Sequence, residues 1–248
     1  MLNLSAISRQ SVAGALLRMP FRLIPKQAVM RVLQGPAKGK RWIAGASTHG
    51  CWLGSYEGEK QRVFQDLVKP GSVVYDVGAN VGFYTLLGSV LSGEGGRVYA
   101  FEPVPRNLGY LERHVRMNGL SNVRVFDVAM GAGSGVARFS LASNASMGHL
   151  GGGDGEEIEV RVEALDGLIR REGLRAPTLV KCDIEGAEAG FLRGAEVTLR
   201  EMRPAVLLAT HGREVHRDCC EFLVGLGYSL RAVDGANVEE TDEILATV

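Results

Sequence analysis

The chain has 248 residues, 28 basic and 28 acidic side chains and 46% apolar content, with a mean hydropathy of +0.04. These values exclude wholesale disorder, and no apolar run is long enough for a spanning helix. Four cysteines, at 51, 182, 219 and 220, form no C-x-x-C pair, which sets aside a structural zinc site or a disulfide framework and suits buried free thiols in a reducing cytoplasm.

Residues 1–56 hold eight basic groups and no Asp or Glu, so the remainder carries 20 basic against 28 acidic groups. Leu4, Ile7, Val12, Ala15, Leu16 and Met19 recur at helical spacing with Arg9 and Arg18 between them. Residues 1–69 therefore read as a basic helical extension, and 70–248 as the main domain. Through residues 1–41 the arm suits an anionic membrane surface; the alternative is packing on the domain or across a homodimer. With no secretory segment at the start, the expected location is cytoplasmic, peripheral at the membrane if the arm binds there.

A turn-rich stretch, 45–58, leads to a short helix over 63–68, stopped by Pro70-Gly71. Strand and helix then alternate. Apolar runs at 73–77, 97–101, 123–128, 178–183 and 205–209 read as core strands, and 83–91, 106–118 and 213–226 as helices. Residues 136–141 and 158–162 resemble a hairpin around a glycine-rich loop carrying Asn144, Ser146, Met147 and His149, which would close over a ligand. Weaker strands follow at 228–233 and 244–248. The pattern is α/β, a doubly wound parallel sheet with helices on both faces, and such sheets bind ligands beyond the carboxyl ends of their strands.

The first strand ends Asp76-Val77-Gly78-Ala79-Asn80-Val81-Gly82. Gly78 and Gly82 permit a sharp turn and close approach to a ligand, yet the G-x-G-x-x-G register of a dinucleotide site fails. Asp76 at the strand end suits an ammonium rather than a pyrophosphate. Glu102 lies 26 positions later, at the tip of the next strand, and a carboxylate there can accept from both hydroxyls of a ribose. Asp127 on the third strand is placed to accept from an exocyclic amine. Together these describe an adenosine with an amino-acid tail.

The 76–82 loop with Phe101-Glu102-Pro103 resembles the S-adenosylmethionine site of class I methyltransferases. The runs Trp52-Leu53-Gly54-Ser55-Tyr56-Glu57, Leu165-Asp166 and Lys181-Cys182-Asp183-Ile184-Glu185-Gly186-Ala187-Glu188 are similar to the FkbM type. Two departures are Cys182, where an aliphatic residue is usual, and Ala209-Thr210-His211, where an acid often stands near the strand end. The resemblance implies a seven-stranded, mostly parallel Rossmann-like sheet and methyl transfer to a hydroxyl of a sugar, glycolipid or secondary metabolite. Cofactor contacts are then expected at Glu57, Asp76, Gly78, Asn80, Gly82, Glu102, Asp127 and Asp183.

A hydroxyl is a poor nucleophile at neutral pH and needs a base or a metal when it attacks. Alternation along the fourth core strand gives Lys181, Asp183 and Glu185 a common direction, and His211 follows the fifth. Asp183, Glu185 and His211 are thus the expected catalytic residues, with no metal; Mg²⁺ held by Asp183, Glu185 and the substrate is the second choice. An RNA methyltransferase and a non-catalytic module of the same fold are the rivals. The chain lacks the Asn/Asp-Pro-Pro-aromatic run used on flipped bases, and acids at the strand tips speak against a bare module.

Overall fold

A computed structural model describes residues 23–141, 148–150 and 156–248. Asn144, Ser146, Met147 and the arm up to Arg22 lie outside the described residues. Five parallel strands form one side of the main sheet, out to its edge: β3 (Val73–Val77), β4 (Arg97–Phe101), β5 (Val123–Phe126), β10 (Leu179–Cys182) and β11 (Ala205–Ala209). Two more, β12 (Ser229–Ala232) and β13 (Glu243–Thr247), complete the order β12-β13-β11-β10-β3-β4-β5, with β13 antiparallel to both neighbours. Chain order reverses between β3 and β10, which opens a crevice at their carboxyl ends.

Alternation along β3 divides the core. Val73, Tyr75 and Val77 face one buried cluster, shared with α5 (Leu165–Glu172), α6 (Glu188–Gly194), α7 (Glu196–Met202) and α8 (Arg213–Gly225). Val74 faces the other, with Leu86 and Leu87 of α3 (Phe83–Ser92). α4 (Pro105–Met117) connects β4 to β5, and Gly119 just beyond it takes a φ of +61°.

Residues 23–69 contain two helices, α1 (His49–Leu53) and α2 (Gly58–Leu67), and also an antiparallel pair absent from the sequence reading, β1 (Val29–Arg31) with β2 (Arg41–Ile43). Trp42, Trp52 and Phe64 share one buried cluster with Val74, Val98 and Leu207 of the sheet. α2 begins five residues earlier than its apolar spacing suggests, because Lys60 and Gln61 in its first turns are buried. The strand expected at 123–128 breaks at Asp127. Beyond it β6 (Ala129–Met130) joins a second sheet with β7 (Gly135–Leu141), β8 (Gly148–Leu150) and β9 (Glu156–Glu163), in the order β6-β9-β7-β8. The β7–β9 pair is the expected hairpin-like element.

Candidate active site

A cavity of about 450 Å³ lies over the carboxyl ends of β3, β4, β10 and β11. Its floor is the turn after β3. Gly78 has a φ of +71°, and a Cβ there would stand 1.9 Å from the Asp183 carbonyl oxygen, so only glycine lets these two strand ends meet. Among the described residues four non-glycine positions have positive φ, and three of them, Glu57, Asn80 and Glu185, line this cavity. Left-handed backbone at such residues costs energy and gathers where function requires a fixed geometry.

On one side stands Glu102, 4% exposed. Its Oε2 accepts the Asn80 N–H at 2.8 Å, and its Oε1 accepts the Val104 N–H at 2.9 Å. Burial pushes this carboxyl up, against the pull of those two hydrogen bonds. Glu57 accepts the Tyr84 hydroxyl at 2.9 Å at the cavity wall.

On the other side, the ends of β10 and β11 bring Asp183, Glu185 and His211 together, with ligand-capable atoms all within 4.8 Å of one another. His211 Nε2 is 3.5 Å from Glu185 and 3.8 Å from Asp183, and its Nδ1 is 2.7 Å from the fully buried Glu188. The hydrogen bond to Glu188 is the main reason the His211 imidazole titrates above its ordinary value. Burial pulls the Asp183 carboxyl upward, but the ammoniums of Lys181 and Lys60 outweigh it and hold it below the usual carboxylate range.

Three expected contacts take other places. Gly82 packs against Leu111 instead of lining the cavity, since a Cβ there would stand 2.5 Å from the Leu111 side chain. Asp76 does not line the cavity. Its side chain points beneath the turn, where Oδ2 accepts the Thr85 hydroxyl at 2.6 Å and Oδ1 lies 3.5 Å from Lys181 Nζ. The ammonium it faces is the protein's own, because Asp76 and Lys181 are register partners on adjacent strands. Asp127 is exposed and outside the cavity. Phe126 turns inward to stack on Phe101, 5.2 Å between centroids, so alternation sends Asp127 outward and Val128 in.

The profile of the FkbM methyltransferase domain matches residues 76–230. The chain belongs to the FkbM methyltransferase family. It is 30% identical over 161 residues to 31-O-demethyl-FK506 methyltransferase FkbM of Streptomyces tacrolimicus, a match over 52% of this chain and 61% of that protein. The chain thus spans about three fifths of that relative's length. The crystal structure of an FkbM methyltransferase from Methylobacillus flagellatus KT superposes with a TM-score of 0.51 at 20% identity, over 76% of this chain and 50% of that one. The fold is that of the class I S-adenosylmethionine-dependent methyltransferases. Among the described residues no helix is long and apolar enough to cross a membrane.

The FkbM signature residues were readable from sequence, but Lys60 and Glu243 were not. Lys60, 2% exposed, stands 2.6 Å from Glu243, 3.3 Å from Asp183 and 3.5 Å from Glu57. A lysine in an amphipathic helix reads as solvated, and Glu243 sits on an antiparallel strand outside the βα pattern. No local signal links them.

Proposed function

We propose that this chain transfers a methyl group from S-adenosylmethionine to a hydroxyl of a sugar, glycolipid or secondary metabolite. The observation that carries the reading is one cavity joining the Gly78 turn and Glu102 to Asp183, Glu185 and His211. The name of the Streptomyces relative, which describes methylation at an oxygen, supports it.

Bound S-adenosylmethionine supplies a methyl group on a sulfonium, open to in-line displacement. The residues present fit it. Glu102 Oε2 accepts one backbone N–H and keeps a lone pair for a ribose hydroxyl, while Oε1 is held by the Val104 N–H and, at 3.4 Å, the Asn107 amide. Gly78 and Asn80 form the turn that holds the cofactor close, with Glu57 at the wall. On the opposite side His211 takes the proton of the attacking hydroxyl at Nε2, the nitrogen not engaged with Glu188. Asp183 stays ionised beside Lys60 and Lys181 and, 3.8 Å from Nε2, steadies the imidazolium that forms.

We read this cluster as a proton site rather than a cation site. A divalent ion there would sit beside two buried ammoniums, 3.3 and 3.9 Å from Asp183. Turnover is therefore expected to survive exhaustive chelation; its abolition and rescue by Mg²⁺ would reverse this choice. The defining experiment offers methyl-labelled S-adenosylmethionine with glycan, lipid, small-molecule and RNA pools. Label in a chemically stable methyl ether supports the reading, and label in RNA alone rejects it.

A further inference from the structure

We propose that Glu188 is the positioning residue of the site: it fixes the His211 tautomer and supplies the counter-charge for the imidazolium formed when His211 takes a proton. The inference deepens the reading above, resting on His211 as the base. Glu188 is the first residue of α6 and fully buried. One of its oxygens, Oε1, holds both strand ends, accepting the Gly186 N–H at 3.0 Å and meeting His211 Nδ1 at 2.7 Å.

An ionised carboxylate can only accept, so Nδ1 must carry the hydrogen and Nε2 presents its lone pair to the cavity. The second oxygen, Oε2, is buried without a hydrogen-bond partner among the described residues. Among the described residues, no cation other than His211 shares the Glu188 charge in a direct ion pair. Burying such a carboxylate is costly unless a positive partner forms beside it, and the imidazolium is that partner.

The same carboxylate restrains the left-handed pair Glu185 and Gly186, with φ of +55° and +100°. Glu188 thereby sets where the Glu185 side chain meets the imidazole. The groups facing His211 are Glu188 from α6 and Asp183 and Glu185 from the turn after β10; Lys60 and Lys181 lie behind Asp183.

The proton balance is simple. The hydroxyl O–H bond breaks as its oxygen takes the methyl group, the sulfonium leaves as a neutral thioether, and the proton bonds Nε2. Proton release to solvent then restores neutral His211.

The test is a nitrogen-15 NMR titration of the histidines in the full chain saturated with S-adenosylhomocysteine. The His211 signals are assigned by their loss in His211→Asn, and no methyl acceptor is needed. The native protein should show His211 protonated at Nδ1 when neutral, with an inflection above 6.5. Glu188→Gln keeps a carbonyl for Nδ1–H but removes the charge, and should lower the inflection by about 1 pH unit. Glu188→Ala should also abolish the tautomer preference. Unchanged signals from the buried His114 and His216 show that each variant is folded. An inflection unmoved in Glu188→Gln, or an Nε2–H tautomer in the native protein, overturns the proposal. So does saturable broadening of His211 by Mn²⁺, because a liganded Nε2 cannot be the base. Each outcome is independent of which molecule is methylated, so a failed hydroxyl assignment would not be mistaken for a failed Glu188 assignment.

Discussion

A buried ammonium amid three carboxylates is stable only as a set. Lys60 neutralises Asp183, Glu57 and Glu243 from three separate segments of chain. Replacing it with Met keeps the volume and removes the charge, leaving those acids facing one another. Because the carboxylates are partly open to water, with side chains 26 to 34% exposed, the loss is expected near the lower end for a broken buried pair, about 2–3 kcal/mol. Denaturant melts of Lys60→Met at pH 7 check this; an unchanged midpoint would mean the three acids are solvated independently. At this scale the sequence was informative where strand logic applies. Asp183, Glu185 and His211 follow apolar runs whose ends must meet at the crevice. It misled where one residue of register matters: Asp76 and Asp127 stand at strand ends, yet alternation buries one beneath the turn and points the other into solvent.

Two elements hold the cavity in shape by different physics. The turn after β3 depends on absent atoms. Gly78→Ala would combine a left-handed backbone, costing about 1–2 kcal/mol, with a Cβ 1.9 Å from the Asp183 carbonyl. Gly119→Ala carries the backbone penalty alone, since nothing lies within 4 Å of its Cβ. Gly78→Ala should therefore be clearly the more destabilised in parallel urea melts, and equal losses would show that Asp183 yields freely. The β2 strand is docked instead by His114 of α4. Its ring stacks on Trp42 at 3.9 Å between centroids, and its Nε2 accepts the Ile43 N–H at 3.0 Å. Nδ1–H donates to the Val81 carbonyl at 2.8 Å, so the ring is neutral. Burial lowers its pKa to about 4, with Arg113 assisting. The unfolded chain takes that proton near pH 6.5. Between 6.5 and 4 the unfolded state binds more protons, so this contribution is intact above 6.5 and declines as pH falls, by up to about 3 kcal/mol. His114→Gln should lose stability at pH 7.5 but show a shallower decline towards pH 4.5. Parallel pH profiles for the two proteins would rule this out. No pattern in the sequence announced this docking, because it joins a three-residue strand to a helix more than 60 positions away.

Over the whole molecule, the alternation of apolar runs with helices was enough to give the parallel sheet, and the family signature supplied its strand number. The four-stranded second sheet was half visible, as the β7–β9 pair, because β6 and β8 have only two and three residues. The basic arm remains a proposal for an anionic membrane surface; salt-sensitive sedimentation with anionic but not neutral vesicles, lost on deleting residues 1–20, is the expected behaviour. The proposed function divides one cavity into a cofactor side at Glu102 and a hydroxyl side at Asp183. Calorimetry of S-adenosylhomocysteine binding tests it most directly. Glu102→Ala should weaken binding by about 1.5–3 kcal/mol, the loss of a charged hydrogen-bond acceptor, while Asp183→Asn should bind as the native protein does and turn over about 10²-fold more slowly. Full affinity in Glu102→Ala, or tighter binding of NAD than of S-adenosylhomocysteine to the native chain, would contradict this division.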